Sequence, residues 1–151
     1  MFITNLPVTP NAGLEIKPKL QENEDNSGPI VLIIDSDENT IDFLRNFFVR
    51  ENCNVISAGC LNEVMEKCKN KKVGLVISEF LLGDHTCLEI MMLMRKIIPA
   101  LPVAIMSSND ELISEKDALN FNADYFFTKP IEEEKLRKII NKCFNHTELF
   151  S

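Results

Sequence analysis

At 151 residues, with 45% hydrophobic and 26% charged residues, the chain is long enough for one domain with a substantial core and too short for two ordinary ones. A net charge of −7 argues against nucleic acid as a direct partner, because phosphate binding needs clustered Lys and Arg. Five scattered cysteines without a CxxC pair, and two histidines remote in sequence, argue for reduced thiols rather than a disulfide framework or a zinc site.

Met1 to about Pro29 reads as a flexible tail, interrupted by Pro7, Pro10 and Pro18 and ending in a polar run, Gln21 to Gly28. It lacks the basic segment and apolar core of a signal peptide, and no run in the chain approaches bilayer-spanning length. The expectation is a cytoplasmic protein with no membrane partner.

From Ile30 the pattern alternates. Ile30–Ile34 is a β-branched run suited to a strand buried on both faces. Ser36 or Asp37 can cap the helix that follows, with Ile41, Leu44, Phe47 and Phe48 on one side. Asn54–Ala58 is a weaker strand, and Leu61, Val64, Met65 and Cys68 then recur at helical spacing. Leu75–Ser78 is the third strand. Thr86 is placed to cap a helix carrying Leu88, Met91, Leu93 and Met94, and the methionines Met91, Met92 and Met94 read as core filling. Val103–Met106 is the fourth strand, Asn109 or Asp110 can cap the helix leading to Leu119 and Phe121, and Tyr125–Phe127 is the fifth strand. Leu136, Ile139, Ile140 and Cys143 mark the last helix, whose opening acids Glu132, Glu133 and Glu134 suit its dipole.

Five strands alternating with five helices predict a doubly wound parallel sheet spanning 30–145, with a short tail over 146–151 and no output domain. In such sheets chemistry collects at the carboxyl ends of the strands. Asp35, Glu79, Ser107 and Lys129 all lie there. Taken singly, Glu79 is a solvated acid and Lys129 a surface lysine. Their coincidence with Asp35 points to one site.

These residues and their surroundings resemble the receiver domain of two-component response regulators. Val31 to Glu38 ends a strand in Asp35, where the family shows two adjacent acids, and Ser36 takes the second place. Gly74 to Glu79 puts Glu79 at the phospho-acceptor position, usually Asp. Ser107 matches the switch hydroxyl. Asn122 to Pro130 matches the closing motif, placing Phe126 at the switch aromatic and Lys129 at the phosphate-pairing lysine, with a cis Lys129–Pro130 peptide implied. The resemblance implies a flavodoxin-like (βα)5 fold around a five-stranded parallel sheet.

It also implies a stand-alone pseudo-receiver, not an enzyme. Ser36 removes one charge from the Mg²⁺ shell, leaving at most weak binding at Asp35 and no resident cofactor. Glu79 carries its carboxylate about 1.3 Å further out, a misplacement of a size that can cost about 10²-fold in rate. A Glu79–Lys129 salt bridge would partly imitate a phosphorylated state. The expected partner is a protein such as a histidine kinase, another regulator or an output protein, docking on about residues 110–144. One alternative is a working receiver, with Asp37 or Asp84 helping Asp35 hold Mg²⁺ while Glu79 accepts phosphate. A remote alternative is a haloacid-dehalogenase-type phosphohydrolase, suggested by Asp35-Ser36-Asp37 but lacking a later acidic pair.

Overall fold

The computed structural model describes residues 28–108 and 113–145. The expected tails lie outside these residues, save for Gly28 and Pro29, which pair with Asn54 through its side-chain and main-chain amides.

The elements follow in the expected alternation. They are β1 (Ile30–Ile34), α1 (Glu38–Arg50), β2 (Asn54–Ala58), α2 (Leu61–Lys67), β3 (Val73–Glu79), a two-residue pair β4 (Leu81–Leu82) and β5 (His85–Thr86), α3 (Cys87–Ile97), β6 (Val103–Ser107), α4 (Glu115–Asn120), β7 (Tyr125–Thr128) and α5 (Glu133–Ile140). A π-helical turn, Asn141–Asn145, extends α5. Five strands form one parallel sheet in the order β2-β1-β3-β6-β7, the flavodoxin-like arrangement. The antiparallel β4–β5 hairpin turns at Gly83, whose φ of 68° is open to glycine at little cost.

Period-two alternation splits the core into two layers. Val31, Ile33, Leu75, Ile77, Ala104, Met106 and Phe127 pack with α1 and α5 on one face. Leu32, Ile34, Val76, Val103 and Ile105 pack with α2, α3 and α4 on the other. Strands buried on both sides need unbroken apolar runs, which is what β1 and β6 supply.

The helix ends follow local chemistry. Asp37 caps α1, accepting from the Asn39 and Thr40 amides. Thr86 occupies the cap position of α3 without a side-chain bond. For α4, Asn109 and Asp110 lie outside the described residues, and the cap is Ser114, which forms a capping box with Asp117. Asn52, Asn70 and Asn122 adopt positive φ just beyond α1, α2 and α4, a conformation Asn tolerates better than most residues.

Two expectations for the core fail. Met92 is 64% exposed, because only Cys87, Ile90, Met91 and Met94 fall on the inward face of α3. Met65 is likewise exposed, leaving Val64 as the fully buried anchor of the short α2. No helix among the described residues is long and apolar enough to cross a membrane.

Candidate functional site

The register of the parallel strands brings the charged residues level. Ile34 lies beside Ser78, Glu79 beside Met106, and Ser107 beside Thr128. Asp35 and Lys129 each follow one residue later, so three chain segments deliver their side chains to one edge. Main-chain bonds continue past the strand ends and hold these segments. Asp35 N–H donates to Ala58 O at 3.1 Å, Phe80 N–H to Met106 O at 2.9 Å, and Lys129 N–H to Ser107 O at 2.9 Å.

Asp35 is fully buried, and both its oxygens have donors. Oδ1 accepts the Asp37 amide at 2.9 Å. Oδ2 accepts Lys129 Nζ at 2.9 Å. Lys129 Nζ stands 3.9 Å from Glu79 Oε2, at the limit of an ion pair. A buried carboxylate is costly unless paired, and Lys129 meets that need at Asp35 before Glu79. The expected Glu79–Lys129 salt bridge is therefore secondary, and Lys129–Asp35 is the principal one.

Glu79 is left incompletely satisfied. Its Oε1 is buried with no hydrogen-bond partner among the described residues. Burial raises its pKa from the ordinary 4.5 to about 7, the neighbouring Asp35 adds to the rise as hydrogen-bond acceptor and as like charge, and Lys129 and the Ser36 amide oppose it. A protonated Glu79 can donate to Asp35; an ionised one leaves two carboxylates facing each other with one lysine between them.

Ser107 is buried beside these groups and Phe126 is half-buried, packed against the α2–α4 layer. The Lys129–Pro130 peptide is cis, as expected. Ser36 is exposed and brings no carboxylate. Asp37 is committed to α1: it takes the Asn39 and Thr40 amides and the Thr40 hydroxyl, and the hydroxyl bond is the main cause lowering its pKa. Asp84 is exposed in the turn of the β4–β5 hairpin.

This donor set does not fit Mg²⁺. The ion prefers octahedral oxygen ligation, with carboxylates open to it. Here Asp35 is engaged at both oxygens, Asp37 caps a helix, and the second acid position is Ser36. Among the described residues no group of three His, Cys, Asp or Glu side chains is placed to hold a metal ion.

Sequence reasoning brought Asp35, Glu79, Ser107 and Lys129 to the right edge. It passed over Lys135, Lys138 and Lys142, which recur at i, i+3 and i+7 along α5 and its extension, a spacing that puts them on one stripe.

A family model for the response regulator receiver domain matches residues 31–141. The alkaline phosphatase synthesis transcriptional regulatory protein PhoP of Bacillus subtilis is 21% identical over 119 residues, covering 79% of this chain and 50% of its own length. The transcriptional regulatory protein GlrR of Escherichia coli is 23% identical over 117 residues, covering 78% of this chain and 26% of its own. The chain thus spans half or less of the length of these relatives. Among solved structures, a CheY-like receiver domain protein from Methanospirillum hungatei superposes with a TM-score of 0.70 at 22% identity, covering 83% of this chain and all of the other.

Proposed function

Because the chain belongs to the response regulator receiver domain family, we propose that it serves two-component signalling as a receiver frame that binds a partner protein without taking up a phosphoryl group at Glu79. The partner would be a histidine kinase, another regulator or an output protein. The observation that carries this reading is the engagement of Asp35, whose two oxygens are held by Lys129 and the Asp37 amide. Phosphoryl transfer to a carboxylate relies on a metal ion to offset the incoming charge, and the acid best placed to hold one is occupied.

The 3.9 Å separation of Lys129 from Glu79 favours a phosphorylation-independent adaptor over a phosphate mimic, in which that pair would be the short one. The working-receiver alternative needs a second acid at the metal, and neither Asp37 nor Asp84 supports it. Asp37 is spent on α1 and Asp84 stands on an exposed hairpin turn. The phosphohydrolase alternative has less support still, since no strand bearing acids follows β7 among the described residues.

The test is labelling by acetyl phosphate with Mg²⁺ in wild type, Glu79→Asp, and Glu79→Asp combined with Ser36→Asp. Label in the doubly substituted protein alone, or in both substituted proteins, supports the reading. Stable label in wild type, lost in Glu79→Gln, overturns it.

A further inference from the structure

The N-terminal edge of the sheet, opposite Glu79, carries the densest run of positive charge in the chain. Lys67, Lys69, Lys71 and Lys72 fall within six residues with no acid among them, in a protein whose net charge is −7. All four are exposed. Lys67 turns back to donate to Ser57 O at 2.8 Å. Among the described residues no salt bridge or side-chain hydrogen bond engages Lys69, Lys71 or Lys72.

The fold carries this run past the start of β1. Strand β1 lies between β2 and β3, so the connection from α2 to β3 crosses the β1 end on its way. Ile30 pairs with Val73, which sets Lys72 beside Pro29, about 5 Å away across one strand spacing. The entry to β1 is pinned. Pro29 O accepts the Asn54 amide at 2.8 Å, Gly28 O accepts Asn54 Nδ2 at 2.9 Å, and a Cβ on Gly28 would run into Asn52 O.

Just before Gly28 the sequence holds Glu22, Glu24 and Asp25, with no base between Gln21 and Gly28. Extended chain covers about 3.5 Å per residue, so Asp25 can reach about 10 Å from Gly28 and Glu22 about 20 Å. The α1–β2 side of the entry point offers these acids only Glu51, a like charge, and Arg50, already held by Glu133 at 2.8 Å. The other side offers three unengaged lysines. Charge complementarity across so short a tether favours that side.

We propose that the chain's own segment Glu22–Asp25 lies against Lys69, Lys71 and Lys72 and covers the basic connection between α2 and β3. Each exposed ion pair is weak alone. A tether of only a few residues holds the acids at roughly millimolar effective concentration, so several weak pairs suffice. The segment then competes with any acidic partner for the same lysines. The contact lies at the edge of the sheet away from Glu79 and does not depend on the adaptor reading.

The test is zero-length carbodiimide cross-linking of the full chain, mapped by mass spectrometry. Expected are amide links within one chain from Lys69, Lys71 or Lys72 to Glu22, Glu24 or Asp25. They should exceed links from the same acids to Lys116 or Lys135, at the opposite edge, by at least about threefold. They should be lost at about 1 M salt, where the Debye length is about 3 Å. A second readout leaves the lysines intact. Glu22→Gln, Glu24→Gln and Asp25→Asn together should shift the amide resonances of Lys69 to Lys72 and remove their salt dependence, while the unchanged remainder of the spectrum confirms the fold. E22K/E24K/D25K combined with K69E/K71E/K72E should restore the links. The proposal is overturned by an absence of such links, by links as frequent to Lys116 and Lys135, by links that survive high salt, by links that join two chains, or by resonances indifferent to neutralisation of the acids.

Discussion

Lys129 serves Asp35 before it serves Glu79: its Nζ is 2.9 Å from the one and 3.9 Å from the other. The preference follows from burial. Asp35 is wholly enclosed while the Glu79 side chain keeps 20% of its exposure, so an unpaired charge is more costly at Asp35. Lysine here acts first as a structural counter-ion.

Removing the lysine should therefore destabilise the fold. Lys129→Met leaves the Asp35 carboxylate buried with only the Asp37 amide, and we expect a loss of about 2–3 kcal/mol, below the full buried-pair figure because Lys129 is 18% exposed. Asp35→Asn in the same chain should restore about half of that, since no charge is then left unpaired. Urea titrations of the two single variants and the double one measure the coupling. Strict additivity would show that the pair contributes nothing.

Glu79 should make stability depend on pH near neutrality. Its folded pKa, about 7, lies above the ordinary 4.5, so the folded protein holds this proton more tightly than the unfolded chain. The stabilisation is complete below about pH 4.5 and is lost as pH rises to 7. The shift corresponds to at most ~3 kcal/mol, and partial exposure reduces the expectation to about 1–2 kcal/mol. Glu79→Gln should remove this slope and exceed wild type in stability above pH 7. Parallel pH profiles for the two proteins would count against it.

The metal response offers a separate check. Millimolar Mg²⁺ should leave the amide spectrum around Asp35 and Glu79 nearly unchanged in wild type and shift it in the protein carrying Ser36→Asp and Glu79→Asp. Saturable shifts in wild type, abolished by Asp35→Ala, would favour a working receiver.

Asp37 should matter to α1 and not to any metal. Asp37→Ala removes the acceptor of the Asn39 and Thr40 amides and should lower the thermal midpoint, while Asp37→Asn, also a good cap, should largely preserve it. Neither should alter the Mg²⁺ response of the doubly substituted protein. An altered response would return Asp37 to the metal site.

Most of the fold was legible because strands buried on both faces need continuous apolar runs, and Ile30–Ile34 and Val103–Ser107 supply them. The site was legible in membership, since strand ends in a parallel sheet share an edge and Asp35, Glu79 and Lys129 each mark one. Its pairing was not. Which acid holds Lys129 depends on a difference of about 1 Å and on relative burial, neither of which spacing encodes. The outward turn of Met92 escaped notice because a methionine-rich helix offers more apolar positions than its inner face can take. The cap of α4 moved to Ser114 because Ser114 and Asp117 satisfy each other's amides, a reciprocal signal hidden behind the more obvious Asn109-Asp110.

The bond between Lys129 and Asp35 joins residues 94 positions apart, one just past the interior strand β1 and the other just past the edge strand β7. Contacts of such separation close a long loop and form after local structure has condensed. We expect the pair to act as a latch on the finished sheet, closing after the folding transition state. Lys129→Met should then speed unfolding by nearly its whole equilibrium effect and leave refolding at its wild-type rate. A slower refolding limb in stopped-flow would place β7 in the nucleus instead. If the latch closes last, the charged edge exists only once every strand is in place, so a partially folded chain presents no counterfeit of it.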